Sequence, residues 1–415
     1  MNLINKRTLV VFTVLSSTSI FAGPYGYDLH NTLAPAAAGM AGTSIAKSPD
    51  TVSAVFGNPA TLADYEGTQF TFGATFYMPE VDLTHDGSVT GTAFNEAKSG
   101  TDIFPVPQIA VTQDLRGLNI PATIGLGLTA TSGIGAEFRK TPGSLGAGAE
   151  FIIFGVNAGL GYEITDNLSV GGAATISFAQ MDLGLSSTGA QTHDLGLRAT
   201  LGATYDIGKT TIGAFYQTKQ DHKFDSLVEV TPGVYDDTRI SQPANFGIGI
   251  SNESLMDGNL LLSADFIYKQ WDDADFWQDI YENQKVYSLG AQLTKGNWKY
   301  RLGYGYADDP TKENVTAGIG SLGSVVTNQF GQIPVSQGVV EYLQAAEAEV
   351  IYKHRLTAGL GYQNMLGVKG LDLDAHVGYQ FEESREYGTG SLAGGGHTRA
   401  DVSSWHTGFG LTWKF

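Results

Sequence analysis

The stretch Asp194-Leu-Gly-Leu-Arg-Ala-Thr-Leu-Gly-Ala-Thr-Tyr-Asp-Ile207 carries an apolar residue at every odd position. Its even positions are Asp194, Gly196, Arg198, Thr200, Gly202, Thr204 and Asp206. Successive side chains of a β-strand point to opposite faces, so this alternation means one strand with an apolar and a polar face. Ile120-Pro-Ala-Thr-Ile-Gly-Leu-Gly-Leu128 repeats the pattern on its even positions, and Leu168, Val170, Ala174, Ile176 and Phe178 repeat it again. Strands of globular sheets average about five or six residues. These are longer, and they match the nine to eleven or so needed to cross a bilayer at a tilt. In a soluble β-sandwich the apolar face would point inward, whereas in a membrane barrel it would face lipid. Pattern alone leaves both open; strand length and loop rhythm favour the barrel.

Working outward, the chain offers fourteen candidate strands near 67–84, 104–114, 120–138, 150–165, 168–182, 194–207, 210–220, 240–252, 259–271, 285–295, 297–306, 351–364, 370–383 and 402–415. Tight turns at 116–119, 166–167, 208–209 and 296 alternate with long connections at about 85–103, 139–149, 183–193, 221–239, 272–284, 307–350 and 384–401. Short turns on one side, long loops on the other and an even strand number are the arrangement of bacterial outer-membrane barrels. Tyr205, Trp298, Tyr304, Tyr306, Trp405, Trp413 and Phe415 sit towards strand ends, where interfacial girdles belong. The expected fold is therefore an all-β membrane protein, a 14-stranded antiparallel outer-membrane β-barrel occupying 67–415.

Composition agrees. Among 415 residues there are 54 glycines, nearly double ordinary usage, spread among aromatics and aliphatics. That mixture is too apolar for disorder and too glycine-rich for helices. It suits strands whose inner face must stay slim. There is no cysteine, so thiol nucleophiles, disulfides and thiolate metal sites are excluded. The net charge of −18 argues against nucleic acid as a partner. Surface carboxylates at an outer leaflet suit lipopolysaccharide, bridged by divalent cations.

The N-terminus reads as a signal peptide over 1–22. Lys6 and Arg7 precede a short apolar run, and Phe21-Ala22-Gly23 offers a cleavage site after Ala22, with the bulky Ile20 less than ideal there. Residues 23–66 do not read as strand. They hold Pro24, Pro35, Pro49 and Pro59 among small residues, and Asn58-Pro59-Ala60 sets a helix start with asparagine as N-cap. A segment this small cannot fold alone. It is expected to be a hatch plugging the lumen; a loose periplasmic extension is the alternative.

At this segment the chain resembles the FadL/TodX family of outer-membrane transporters for long-chain fatty acids and other hydrophobic compounds. The resemblance rests on Gly39-Met-Ala-Gly-Thr-Ser44 and Ala54-Val-Phe-Gly-Asn-Pro-Ala60, followed by Phe70-Thr-Phe-Gly-Ala-Thr-Phe76. Tyr300-Arg-Leu-Gly-Tyr-Gly-Tyr306 and His354-Arg-Leu-Thr-Ala-Gly-Leu-Gly-Tyr362 agree with it. It implies a barrel closed by an N-terminal hatch that includes Gly39, Gly42, Asn58 and Pro59. It also implies capture of substrate by extracellular loops and sideways release through a wall gap at a kinked third strand. In this chain that strand becomes Ala130-Thr-Ser-Gly-Ile-Gly-Ala136, so Ser132, Gly133 and Gly135 are the gap candidates. An ordinary twisted strand end is the competing reading.

A fatty-acid substrate needs a cation for its carboxylate. Parity places Arg198, Lys269, Lys299 and Arg301 in the lumen, with Arg198 the first choice because it lies mid-strand. Each would otherwise pair with lumen acids such as Asp194, Asp206 or Asp265. Trp271, Phe276 and Trp277 offer an apolar capture surface, or else pack the loops over the mouth. Residues 339–346 suggest a short amphipathic helix. No Gly-x-Ser-x-Gly or His-Glu-x-x-His occurs, so no enzyme, cofactor or metal is expected. The reading is passive uptake of long-chain fatty acids or similar hydrophobic molecules by a monomer, set in outer-membrane lipid by the barrel-assembly machinery that reads its terminal aromatic. Aromatic or alkane hydrocarbons by the same route, a structural or adhesive barrel, and a polar porin are the alternatives.

Overall fold

Alternating strands of this length have nothing to bury their apolar face against unless lipid covers it, and the wall of the molecule shows which way that face turns. The computed structural model describes residues 28–100, 103–183, 192–231, 233–315, 325–328, 331–348 and 350–415. The expected signal peptide over 1–22, together with residues 23–27, lies outside the described residues. Along the stretch quoted first, Leu195, Leu197 and Leu201 are 66%, 68% and 64% exposed, while Arg198 and Thr200 are 3% exposed. The apolar parity faces outward. Such a surface is untenable in water and ordinary in a bilayer.

Fourteen antiparallel strands make the wall. In chain order they are β1 (Thr68–His85), β2 (Phe104–Asp114), β3 (Ala122–Glu137), β4 (Gly148–Thr165), β5 (Leu168–Leu183), β6 (Thr192–Ile207) and β7 (Thr210–Gln217). The second half comprises β8 (Ala244–Leu255), β9 (Leu260–Gln270), β10 (Gln284–Lys295), β11 (Trp298–Ala307), β12 (His354–Tyr362), β13 (Leu371–Tyr387) and β14 (Thr398–Lys414). Each pairs with its neighbour in sequence, and β14 returns to β1 in unbroken register from Gln69↔Lys414 to His85↔Thr398. Closure leaves no terminal strand of the sheet without a partner on either side. The two-residue turns after β6 and β10 use Gly208 (φ 63°) and Gly296 (φ 60°), a left-handed backbone that twists a hairpin correctly.

The long connections hold more structure than the sequence suggests. Gln220–Thr231 and Val234–Gln242 form a hairpin where 221–239 reads as a loop. Phe94–Lys98 pairs with the end of β1. His222, Phe224 and Ile240 of the hairpin are buried, so it is the cap above the barrel, not a local alternation, that draws this segment into strands.

Inside the wall lies the hatch, described from Asp28 onward. It holds a 3-10 turn at Ala37–Met40, helix α1 (Thr51–Phe56) and a second 3-10 turn at Pro59–Asp64. Asp50 caps α1 by accepting from Ser53, and also accepts from the backbone N–H groups of Ala36 and Ala37, both at 2.9 Å. Asn58 caps the second turn at Ala60, with Pro59 at its first position, and donates to Ile45 O at 2.7 Å and to Ala203 O of β6 at 3.2 Å. The expected helix start is therefore present, as a 3-10 helix.

The glycine excess has its cause here. A Cβ on Gly39 would fall 2.8 Å from the Cα of Gly359 on β12, and a Cβ on Gly303 of β11 would collide with the backbone at Met40–Ala41. Hatch backbone and wall backbone touch, which only glycine permits. Gly42 takes a left-handed backbone at φ 83°.

Gly303→Val should lower the thermal midpoint of the purified protein by an amount equivalent to about 1–3 kcal/mol of overpacking. Leu302→Ala, on the lipid face of the same strand, should leave it nearly unmoved. Equal effects of the two would show that the hatch contact contributes nothing.

Candidate functional site

Among the described residues the ladder of the wall lapses on the loop side of β3. β2 pairs with β3 from Asp114↔Thr123 to Gln108↔Thr129 and no further. β3 continues to Glu137, paired only with β4. The register to β4 slips between Ala130 and Ser132, which leaves Thr131 as the bulged residue. Gly133 and Gly135 pair regularly with Ile152 and Glu150, so the kink sits two residues ahead of the glycines that suggested it. Ser132 is at the bulge and buried.

The edge of β3 that β2 leaves is met by the hatch. Asp28 forms an antiparallel bridge with Ser132, and Leu29 N–H donates to Thr131 O at 3.0 Å. Leu29 and Leu33 pack with Tyr77, Val106, Ala130 and Ile152, flanked by Phe104 and Phe154. The lapse is thus lined by apolar side chains from β2, β3 and β4 and filled by hatch leucines.

The Asp28 carboxylate lies between two buried cations. Arg198 Nη1 stands 3.8 Å from Oδ1 and Lys269 Nζ stands 3.7 Å from Oδ2. Asn245 donates to Oδ2 at 2.5 Å, and Lys269 donates to the Asp28 carbonyl at 2.6 Å. Arg198 also donates to Thr218 O at 2.8 Å and to Pro243 O at 2.5 Å, carbonyls flanking the Gln220–Gln242 hairpin. A cavity of about 20 Å³ beside Asp28, Arg198 and Thr129 has room for about one water.

Of the four lumen cations expected from parity, β6 and β9 bring Arg198 and Lys269 together. Their shared partner is Asp28, not Asp194, Asp206 or Asp265. Those acids are engaged elsewhere: Asp265 accepts from the hatch amides of Ser44 (2.7 Å) and Ile45 (3.1 Å), for instance. Arg301 pairs with Asp374 of β13 at 2.6 Å and donates to Gln292 at 2.7 Å, within the wall beneath Gly39. Lys299 is half-buried on the same strand, nearer its turn end. Alternation and parity do not single out Asp28, Asn245 or Thr131. One signal for the first was present: Asp28 is the only acid between residues 23 and 49.

Above the lumen, the long loops close into a cap. Helix α2 (Gln337–Glu347) is capped by Ser336 and spans the expected helix at 339–346. It ties loops together through Tyr342 to Ser144 O (2.7 Å), Gln344 to Ile280 O (3.1 Å) and Glu347, which accepts from Gly148 N–H at 3.0 Å. Trp271 and Trp277 are fully buried in this cap, and Trp277 stacks on Tyr281 at 5.2 Å. Phe276 packs edge-on against Trp277 and is partly buried. These aromatics form the cap's interior, continuous with Ile134, Phe151 and Ile153 of β3 and β4 beside the lapse. Among the described residues no group of three or more His, Asp or Glu could hold a metal ion.

The profile of the family described as "Outer membrane protein transport protein (OMPP1/FadL/TodX)" matches residues 14–251, more than half of the chain. The chain belongs to this family. It is accordingly a β-barrel of the Gram-negative outer membrane, in a family that transports hydrophobic compounds. Three solved structures share the fold. A Pseudomonas aeruginosa FadL homologue is 15% identical, with TM-score 0.67, covering 94% of this chain and 100% of its own. The P. putida toluene transporter TodX is 18% identical at 0.63, covering 94% and 99%. The Ralstonia pickettii toluene transporter TbuX is 18% identical at 0.64, covering 93% and 99%. A search of curated proteins found no match.

Burial pushes the Glu347 carboxyl from its ordinary 4.5 up to about 8, against the opposing pull of the Gly148 N–H and Arg139. A raised carboxyl stabilises the cap fully below the ordinary value, and that stability is lost as pH rises through about 8. Quenching of tryptophan fluorescence by acrylamide should therefore increase between pH 5 and 8 as Trp271 and Trp277 become accessible. Glu347→Gln should flatten the profile; an unchanged slope in that variant would remove Glu347 as the cause.

Proposed function

We propose that this family member takes up long-chain fatty acids or similar hydrophobic molecules passively. They are captured by the extracellular cap and released sideways into the membrane between β2 and β3. The observation that carries the reading is the lapse itself: a closed barrel whose ladder stops at Gln108 and Thr129, lined by Phe104, Val106, Ala130 and Ile152 and filled by Leu29. An acyl chain gains about 0.8 kcal/mol for each methylene buried. It would be rejected by a watery pore and accepted by an apolar path running from the cap cluster to this gap. Lipopolysaccharide and the outer-membrane lipid around the wall are the surroundings into which it emerges.

Arg198 and Lys269 favour a substrate with an acidic head, since buried cations beside an apolar path suit a carboxylate. Trp271, Phe276 and Trp277 supply the apolar capture surface once the cap opens. A second reading, uptake of aromatic hydrocarbons, is favoured by the shared fold with TodX and TbuX, both described as toluene transporters. It would need only the dry path.

Cells lacking the protein should take up labelled oleate more slowly than complemented cells, and equal rates would sink the fatty-acid version. Because the chain has no native cysteine, Val106→Cys with Ala130→Cys can be bridged across the lapse by a bifunctional thiol reagent. Bridging should bring uptake down to the level of the deletion strain. Full uptake through the bridged protein would rule out sideways release there.

A further inference from the structure

The N-terminal half of the cap helix α2 is fastened to the wall by a chain of hydrogen bonds whose direction is fixed at both ends. Thr90 N–H donates to His85 Nε2 at 3.3 Å, so that nitrogen carries no proton. The His85 proton is therefore on Nδ1, 2.9 Å from Thr398 Oγ1. At the far end the Glu341 carboxylate of α2 can only accept, and it lies 3.2 Å from His397 Nε2. That puts the His397 proton on Nε2 and leaves its Nδ1 to accept from the Thr398 hydroxyl at 2.7 Å. All four side chains are buried. The two imidazoles stand edge to face at 5.7 Å, and His85 packs against Tyr342 of α2 at 5.1 Å. Gly388 makes room for the last link: a Cβ there would collide with both His397 Nε2 and the Glu341 carboxylate.

The chain tolerates one added proton and not two. Charged His397 gains an ion pair with Glu341, and Thr398 can accept from both rings at once. Charged His85 would turn an N–H of its own against Thr90 N–H, and a buried donor left without an acceptor costs about 1–3 kcal/mol. Its charge would also face that of His397. The other charged groups around the chain are engaged elsewhere. Asp86, next to His85, accepts from the Ser88 and Ser391 amides, both at 2.8 Å. Glu386 on β13 accepts from the amides of Gly394 at 3.0 Å and Gly396 at 2.8 Å. Arg399 on β14 pairs with Asp401, and Lys98 lies 3.9 Å from Asp82. On α2 itself, Gln337 donates to the other oxygen of Glu341 at 2.8 Å, and the Tyr342 hydroxyl donates to Ser144 O. The fastened helix thus binds fewer protons than the freed one. Its stability is complete above the ordinary imidazole value of about 6.5 and is lost as pH falls below it.

We propose that His85, Thr398, His397 and Glu341 form a proton-released latch that frees the N-terminal half of α2 from the ends of β1 and β14 in mild acid. The helix is wedged between two apolar clusters of the cap. Val340 packs with Trp271 and Trp277, while Tyr342, Ala345 and Ala346 pack with Phe138, Ile351 and Tyr352. Lifting it uncovers apolar surface on both sides, so the latch regulates access from outside to the interior of the cap. Glu347, at the other end of α2, responds in the opposite sense, because its contribution is lost as pH rises through about 8. The helix is held at both ends only in the window between these two limits. The inference rests on the transport reading only for its consequence, that freeing α2 admits a hydrophobic substrate.

The test uses the purified protein in an uncharged detergent, with heat-modifiable gel migration as the check of folding. Hydrogen exchange over residues 337–342 is measured one pH unit above and one below the ordinary imidazole value and divided by the rate of an unstructured peptide at each pH. Protection should fall about tenfold on the acid side, which is the most that one histidine of ordinary pKa yields one unit below that value. This measurement needs no variant, and protection that ignores pH would overturn the proposal. His85→Gln keeps one donor and one acceptor but cannot gain a charge. In the folded variant the acid loss of protection should shrink to within about twofold of none, and a full loss would equally overturn the latch. Dodecanol, which has no titrating group in this range, should reach the unaltered protein faster on the acid side and His85→Gln at one rate on both. Equal rates in the unaltered protein would show that α2 does not control access. If the exchange results hold while oleate uptake does not depend on the protein, the transport reading fails and the latch stands. If uptake depends on the protein while protection ignores pH, the latch fails and the transport reading stands.

Discussion

Backbone N–H and C=O groups cannot go unpaired in hydrocarbon, where each costs several kcal/mol. That constraint closes fourteen strands into a ring and governs nearly everything else in this protein. It also makes the lapse between β2 and β3 meaningful. Beyond Thr129 β3 has lost its neighbour on one side, and its exposed edge is met by Asp28 and Leu29 of the hatch and, at the far end, by Gly100, whose N–H donates to Glu137 O at 2.8 Å. A fixed strand partner has been exchanged for a segment of the hatch. Pro105 and Pro107 on β2 carry no N–H, which lowers the number of donors the lapse must satisfy.

The same demand shapes the lumen. The hatch has only short turns of its own, so its amides and carbonyls look to the wall. Asp265 receives the amides of Ser44 and Ile45, and Arg355 donates to Ala41 O at 2.7 Å. Lumen acids and bases that look in sequence like a substrate site are thus largely the hatch's hydrogen-bonding surroundings. Arg301 is instead held within the wall, by Asp374 and Gln292. Arg198 and Lys269 differ because their shared partner, Asp28, is also the residue that touches the gap.

Much of the wall was legible because period-two alternation is a local property. The strand containing Arg198, the turns at Asp166-Asn167 and Gly208-Lys209, and the inward parity of Lys269 all follow from neighbouring residues. The gap was legible only roughly. Gly133 and Gly135 signalled flexibility, yet the bulge falls at Thr131, because the register slip depends on where Ala130 and Ser132 meet Phe154 and Ile153 of β4. The hairpin at Gln220–Gln242 reads as a loop since its strands are specified by burial under the cap. Trp271 and Trp277 are recognisably apolar, but whether they lie open or packed depends on α2 and Tyr281, far away in sequence or folded over them.

Sequence alone determined a long-stranded, glycine-rich antiparallel wall with a non-strand segment ahead of it, because alternation, turn chemistry and composition are written residue by residue. Only the tertiary structure decided that the apolar face points outward, that Gly39 and Gly303 are contact points between hatch and wall, and that Asp28 sits between Arg198 and Lys269. The reason is physical: closing a sheet into a ring around the hatch brings together residues some 170 to 320 positions apart, as with Asp28 and Arg198 or Gly39 and Gly359. No local pattern encodes a partner that only the closed ring brings near.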